Sequence, residues 1–148
     1  MVNISILYRF KPLLVIVGWA ACLATLTLGI MFQGLLLPNA SELKPELFGS
    51  SSLLFWVFYL GSFGISVLAA MVISDFGQSV VSVFFAFLLT ALIAFVVLVL
   101  PDFLGIVQPP GVLQEPSVTF VFDALIPVSL FVDLAGAIAG SAISERLF

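Results

Sequence analysis

Four long apolar stretches dominate the sequence, and the segments between and outside them hold most of its prolines and charges. The stretches cover residues 12–37, 51–73, 78–100 and 118–144. Each is at least as long as the roughly 20 residues that an α-helix needs to cross the hydrocarbon core of a bilayer. The sequence therefore predicts an all-α membrane protein, a four-transmembrane-helix bundle in which residues 1–148 form a single integral membrane domain.

The composition excludes several other classes of protein. The chain is 63% hydrophobic and 8% charged, whereas about a quarter of the residues of a soluble domain are charged. Its net charge of −4 argues against a nucleic-acid partner, because nucleic acid selects a basic surface. There is no histidine, and Cys22 is the single cysteine. The usual transition-metal ligands are therefore nearly absent and an intrachain disulfide is impossible, and we expect no metal and no cofactor.

The basic residues predict the orientation of the bundle in the membrane. With four spans, Arg9, Lys11 and Arg146 flank one side, and Lys44 stands alone on the other. Because cytoplasmic flanks are enriched in Lys and Arg, we expect both termini in the cytoplasm, most simply at the plasma membrane. The first apolar stretch does not become polar where a mature secreted chain would, which favours a retained helix over a cleaved signal.

Small residues recur at helical spacing in every stretch and predict the faces on which the helices pack. In lipid, association depends on close packing and hydrogen bonds, and small residues allow both. In the fourth stretch the predicted packing face consists of Ser129, Asp133, Gly136, Ala137, Gly140 and Ser144. In the first three stretches the faces are Gly18, Cys22, Thr25, Gly29 and Gln33; Ser62, Ser66 and Ala69; and Ser79, Ser82, Ala86 and Thr90. We expect all four faces to point inward.

Asp133 is the residue in the sequence that most suggests a functional site. An acid at mid-span costs about 2.5–3.5 kcal/mol on insertion scales, and such acids are often functional. One interpretation is a structural clasp, in which Asp133 bonds a backbone carbonyl or Gln33, Thr25 or Ser62 of neighbouring helices. The others are an ion or proton site and a contact to a partner subunit.

Other polar residues have a functional and a structural interpretation each. Asp123 either lines a wet cavity in a helix kinked at Pro127, or is an interfacial acid near a helix N-terminus. Gln33 is either a pore-lining group or a second clasp. Asp75, in the short segment between the second and third stretches, is predicted to cap the third helix.

The two long connections, 38–50 and 101–116, are rich in proline and acidic residues. Asn39 begins an N-glycosylation sequon close to the membrane. The second connection carries apolar residues that indicate that it lies against the membrane surface: Phe103, Leu104, Ile106 and Val107.

We expect that the protein is not an enzyme, because the sequence shows no general base, metal site or cluster of nucleophiles. We expect a small accessory or structural subunit of a larger membrane complex, whose partners are the lipid bilayer and other membrane protein subunits. The alternative is a proton- or ion-coupled carrier or channel that acts as a homo-oligomer through Asp133.

Overall fold

The computed structural model describes residues 4–32, 52–107, 109–126 and 128–147, and within these all regular structure is helical. The helices are α1 (Ile4–Phe32), α2 (Ser52–Ile73), α3 (Phe76–Phe103), α4 (Gln114–Leu125) and α5 (Val128–Leu147). Four helices are long and apolar enough to cross a membrane, over Phe10–Ile30, Trp56–Ile73, Phe76–Phe103 and Val128–Leu147. The all-helical class and the four long apolar helices are thus confirmed, and they indicate an integral membrane protein.

The fourth predicted stretch, 118–144, is two helices rather than one. α4 ends at Leu125, and Ile126 has an extended backbone with φ −118° and ψ 138°. Ile126 precedes Pro127, and the residue before a proline is sterically disfavoured in the helical region. The stretch therefore breaks there, and α5 alone provides a helix of 20 residues, which is the length that a span needs.

The connection between α2 and α3 is a tight turn. Ser74 has a positive φ of 65°, and its N–H bonds the carbonyl of Ala70 at 3.0 Å. The carboxylate of Asp75 then accepts the N–H of Gln78 at 2.7 Å, which confirms Asp75 as the N-cap of α3. At its other end α3 runs to Phe103, past the predicted end at Leu100, with Pro101 inside the helix.

The contacts between helices establish their relative directions. Asp133 contacts Ser62, and Ser144 contacts Met71, so α2 and α5 run parallel. Trp19 contacts Ser66, and Leu26 lies against Gly61, so α1 and α2 are antiparallel. The most extensive packing is between α2 and α5, followed by α1 with α3, whereas α2 and α3 touch little despite their short connection. The bundle order around its axis is therefore α1, α2, α5, α3.

Among the described residues the core consists of two buried apolar clusters, and Leu130 packs against both of them. The first consists of Ile30, Phe58, Phe87, Ala94, Phe120, Val121, Ala124 and Leu125. The second consists of Trp19, Leu23, Ala70, Val83, Ala86 and Ala137. α4 contributes to the first cluster, so this short helix belongs to the packed bundle.

The packing face predicted for α1 is wrong. Gly18, Cys22 and Thr25 are exposed, and a Cβ added at Gly18 or Gly29 would meet nothing within 4 Å. The opposite face is buried, and its members include Trp19 and Leu23. The physical reason is complementarity of size. In the second cluster the large side chains of Trp19 and Leu23 pack with three small residues of the other long helices: Ala70, Ala86 and Ala137.

Candidate functional site: a buried carboxyl between three helices

Among the described glycines, the two on the α5 face lie closest to a neighbouring helix, and that helix is α2. A Cβ at Gly136 would lie 2.8 Å from the carbonyl oxygen of Phe63. A Cβ at Gly140 would overlap the carbonyl oxygen of Val67 and come within 2.9 Å of the Cβ of Ala70. Only the absence of a side chain permits this distance, which is the type of contact that small residues provide in membranes.

Asp133 lies one turn before Gly136, where the two helices are held close together. Its side chain is 1% exposed. The hydroxyl of Ser62 donates to Asp133 Oδ1, and the hydroxyl of Ser66 donates to the same oxygen at 3.0 Å. Ser62 and Ser66 are four residues apart on α2 and so present their side chains on one face. The predicted contact with Ser62 is present, and Ser66 is a second donor on the same helix.

Trp19 extends this network to α1. Its indole Nε1–H donates to the hydroxyl of Ser66 at 3.2 Å, and Trp19 is 3% exposed. Because a hydroxyl has one donor and two acceptor positions, Ser66 accepts from Trp19 while it donates to Asp133. Four side chains from three helices are therefore joined in one buried polar network.

Sequence reasoning missed Trp19 as a member of the site. The signal was present, because Trp19 stands well inside the first span, away from the interface where amphipathic aromatics usually lie. A buried indole N–H normally has a hydrogen-bond acceptor. In a bundle whose other faces carry serines, that acceptor was predictable as a hydroxyl.

Further polar contacts between helices lie outside the Asp133 network. Thr90 donates to the carbonyl of Ala20 at 3.3 Å, which links α3 to α1, and to its own helix at Ala86 at 2.8 Å. Ser144 donates to the carbonyl of Met71 at 3.4 Å and links α5 to α2. Among the described residues, the hydroxyl of Ser79 is the buried side-chain oxygen that has no partner.

The other candidate residues are not gathered at Asp133. Gln33 lies outside the described residues, as do Asn39 and Lys44. Asp123 is in α4, on the other side of the helix break from Asp133, and its side chain is outside the described part of the structure. Gly29 was predicted to pack within the bundle, and instead it lines a groove on the outside of α1.

The described partners of Asp133 are hydroxyls rather than cations. Among the described residues, no group of three or more His, Cys, Asp or Glu side chains is placed to hold a metal ion. The geometry is that of a polar clasp between α2 and α5, strengthened from α1.

The outward face of α1 is the second notable surface. Together with neighbouring residues of α2 it borders an open groove of about 580 Å³. The groove is lined by Ala21, Cys22, Thr25, Leu26, Gly29, Ile30, Val57 and Ile65. The one hydroxyl among these, on Thr25, donates to the carbonyl of Ala21 at 2.8 Å within its own helix. The small residues of α1 in this lining are thus Ala21, Cys22, Thr25 and Gly29, and the hydroxyl of Thr25 is satisfied within the helix.

Comparison with known proteins gives no relative. No protein-family model matches the chain, and neither a curated protein nor a solved structure is significantly similar to it.

Proposed function

We propose that the chain is a non-catalytic, multi-pass membrane protein that serves as an accessory or structural subunit of a larger membrane complex. The observation that carries the proposal is the outward small-residue face of α1. In α2, α3 and α5 the small residues are used for packing inside the bundle. Since small faces are the surfaces on which membrane helices associate, the face of α1 is suited to receive a helix of another subunit.

In this proposal Asp133 is a structural residue. A clasp of one carboxyl and two hydroxyls between α2 and α5 fixes the register of these helices, and Trp19 joins α1 to the same point. A rigid bundle presents the outer face of α1 in a constant orientation. Buried polar groups of this kind are best known for specifying such registers.

The proposed orientation places both termini in the cytoplasm, at the plasma membrane. Because α1 is antiparallel to α2 and α2 is parallel to α5, the start of α1 and the end of α5 lie at the same end of the bundle. Arg9, Lys11 and Arg146 are at that end, and their number supports the cytoplasmic side.

The first test is the composition and mass of the particle extracted from native membranes in mild detergent. We expect additional subunits at a fixed ratio to this chain. Gly29→Leu adds a large side chain to the outer face, where its Cβ meets nothing in the bundle, and should reduce the co-purified subunits at least tenfold. Ala135→Leu is the matched control, since Ala135 is exposed on α5, and it should leave the complex intact.

Two results would contradict an accessory role. One is a particle that contains this chain alone. The other is a Gly29→Leu particle with the same composition as the unsubstituted one. Cys22 is exposed and lines the groove, so oxidative cross-linking through it distinguishes a homo-oligomer from a complex with other subunits. A link between two copies of this chain indicates a homo-oligomer.

A second candidate function is a proton- or ion-coupled carrier or channel that works as a homo-oligomer through Asp133. The break between α4 and α5 favours it, because discontinuous helices beside a buried acid are typical of transporters. In purified protein reconstituted into vesicles, this candidate requires that Asp133→Asn abolish flux while the oligomer persists. Flux that survives Asp133→Asn eliminates it.

A further inference from the structure

The end of α3 is closed by a Schellman motif, which gives the following loop a fixed conformation. Gly105 has a positive φ of 69°, and its N–H bonds the carbonyl of Asp102 at 3.1 Å. The N–H of Ile106 bonds the carbonyl of Pro101 at 3.0 Å. These two bonds are the pair that defines the motif, with glycine in the left-handed position.

Asp102 holds the far side of the same loop. Its side chain is 7% exposed, and both carboxylate oxygens accept the N–H of Gly111 at 2.8 Å. Gly111 also has a positive φ, 92°, which favours glycine. A hydrogen bond between residues nine apart in the chain thus closes the loop. This bond limits the movement of the exposed side chains that the loop carries.

The side chains that this loop displays are apolar. Phe103 is 74% exposed, Leu104 65% and Ile106 72%. No charged residue occurs between Asp102 and Glu115, and Glu115 is itself exposed. A contiguous exposed apolar patch on a structured loop marks a surface that is covered by a membrane or another protein.

The position of the patch relative to α3 indicates whether a membrane or another protein covers it. At 100° per residue, Phe103 falls on the same side of α3 as Phe85, Leu92 and Val96, which are all exposed on the surface of a helix that is apolar enough to span. The loop therefore continues the surface of α3 that faces lipid. The small residues by which membrane helices associate are almost absent from this side of the helix.

We infer that the end of α3 and the loop after it form an interfacial anchor, whose residues Phe103, Leu104 and Ile106 insert into the headgroup–acyl boundary of the leaflet where α3 ends. The occupant of the patch is the bilayer itself. Asp102 is the positioning residue, because it ties the return of the loop to the end of α3. The inference rests on α3 spanning a membrane and is independent of the proposed role as a subunit.

The test uses single cysteines that carry a nitroxide label, in a Cys22→Ser background reconstituted into phosphatidylcholine vesicles. The labelled variants are Phe103→Cys and Ile106→Cys, with Leu92→Cys as the mid-span control and Glu115→Cys as the aqueous control. Collision with oxygen, which partitions into lipid, is compared with collision with a water-soluble nickel chelate. Each variant must elute as the same monodisperse species as the parent.

We expect labels at Phe103 and Ile106 to collide mainly with oxygen, at a depth between those of the Leu92 and Glu115 labels. Nickel accessibility at Phe103 and Ile106 equal to that at Glu115 would overturn the anchor. Protection from both reagents would also overturn it, since the patch would then be covered by protein. A nickel-accessible label at Leu92 would remove the premise that α3 spans the bilayer, and that failure is distinguishable from the other two.

Discussion

The hydroxyl of Ser66 links the indole of Trp19 to the carboxyl of Asp133. Through this single small side chain, α1 is coupled to α5, two helices that are diagonal in the bundle order. Removing Asp133 or Ser66 takes away two of the three hydrogen bonds of this network, so the stability of variants at these residues measures how much the network contributes to the bundle.

Asp133→Ala should destabilise the bundle by about 1–3 kcal/mol, since hydrogen bonds between membrane helices average roughly 0.6 kcal/mol and reach about 1.7. Asp133→Asn retains an acceptor oxygen for Ser62 and Ser66 and should cost less than about 1 kcal/mol. Unfolding in mixed micelles with increasing dodecyl sulfate measures both. Equal losses for the two variants would show that Asp133 does not act by accepting these bonds.

Trp19→Phe tests the indole donor while it keeps an aromatic ring. We expect a loss of about 0.6 kcal/mol, whereas Trp19→Ala should lose about 3–5 kcal/mol through the cavity that it leaves. A double-mutant cycle with Ser66→Ala isolates the bond. A coupling energy indistinguishable from zero would mean that Trp19 contributes by its volume alone.

Gly140→Ala should be among the most damaging methyl additions in the chain. The new Cβ would overlap the carbonyl oxygen of Val67, so α2 and α5 must separate, at a cost of about 1–3 kcal/mol. Gly18→Ala is the matched control, because its Cβ meets nothing within 4 Å and alanine is the better helix former by about 1 kcal/mol. Equal stability changes for the two variants would contradict the close approach of α2 and α5.

Asp102→Ala should release the loop that follows α3 without unfolding the bundle. A hydrogen bond to a charged acceptor is worth about 1.5–3 kcal/mol, so exchange of the Gly111 amide should accelerate roughly tenfold or more. Asp75→Ala is the control, since it removes a comparable bond at the other end of α3, to the N–H of Gln78. Its effect should remain at Gln78 and leave Gly111 unchanged.

Much of the architecture can be predicted from the length and residue spacing of each helix considered alone. The apolar lengths predict four helices able to span, and the spacing of residues around Asp133 predicts a face of α5 that is buried in the structure. The role of Asp75 as an N-cap is predictable in the same way, because capping depends on residues within one helical turn.

The features that escaped prediction depend on how separate helices meet. The small face of α1 resembles those of the other helices, and nothing within α1 tells whether such a face packs inside the bundle or outside it. Asp102 and Gly111 are brought together by a loop whose course the sequence pattern does not define. The break at Ile126 was visible as Pro127, but a proline is compatible with a kink as well as with a new helix.

The packing of α2 against α5 also constrains the order in which the contacts between helices form. The residues of the clasp, Ser62 and Asp133, are 71 positions apart, and chains are synthesised from the N-terminus. When α1, α2 and α3 have entered the bilayer, Asp133 of α5 is not yet present to accept hydrogen bonds from the serines of α2. This interface therefore cannot close before α5 has been synthesised. Until then, the hydroxyls of Ser62 and Ser66 lack the carboxyl that accepts their hydrogen bonds.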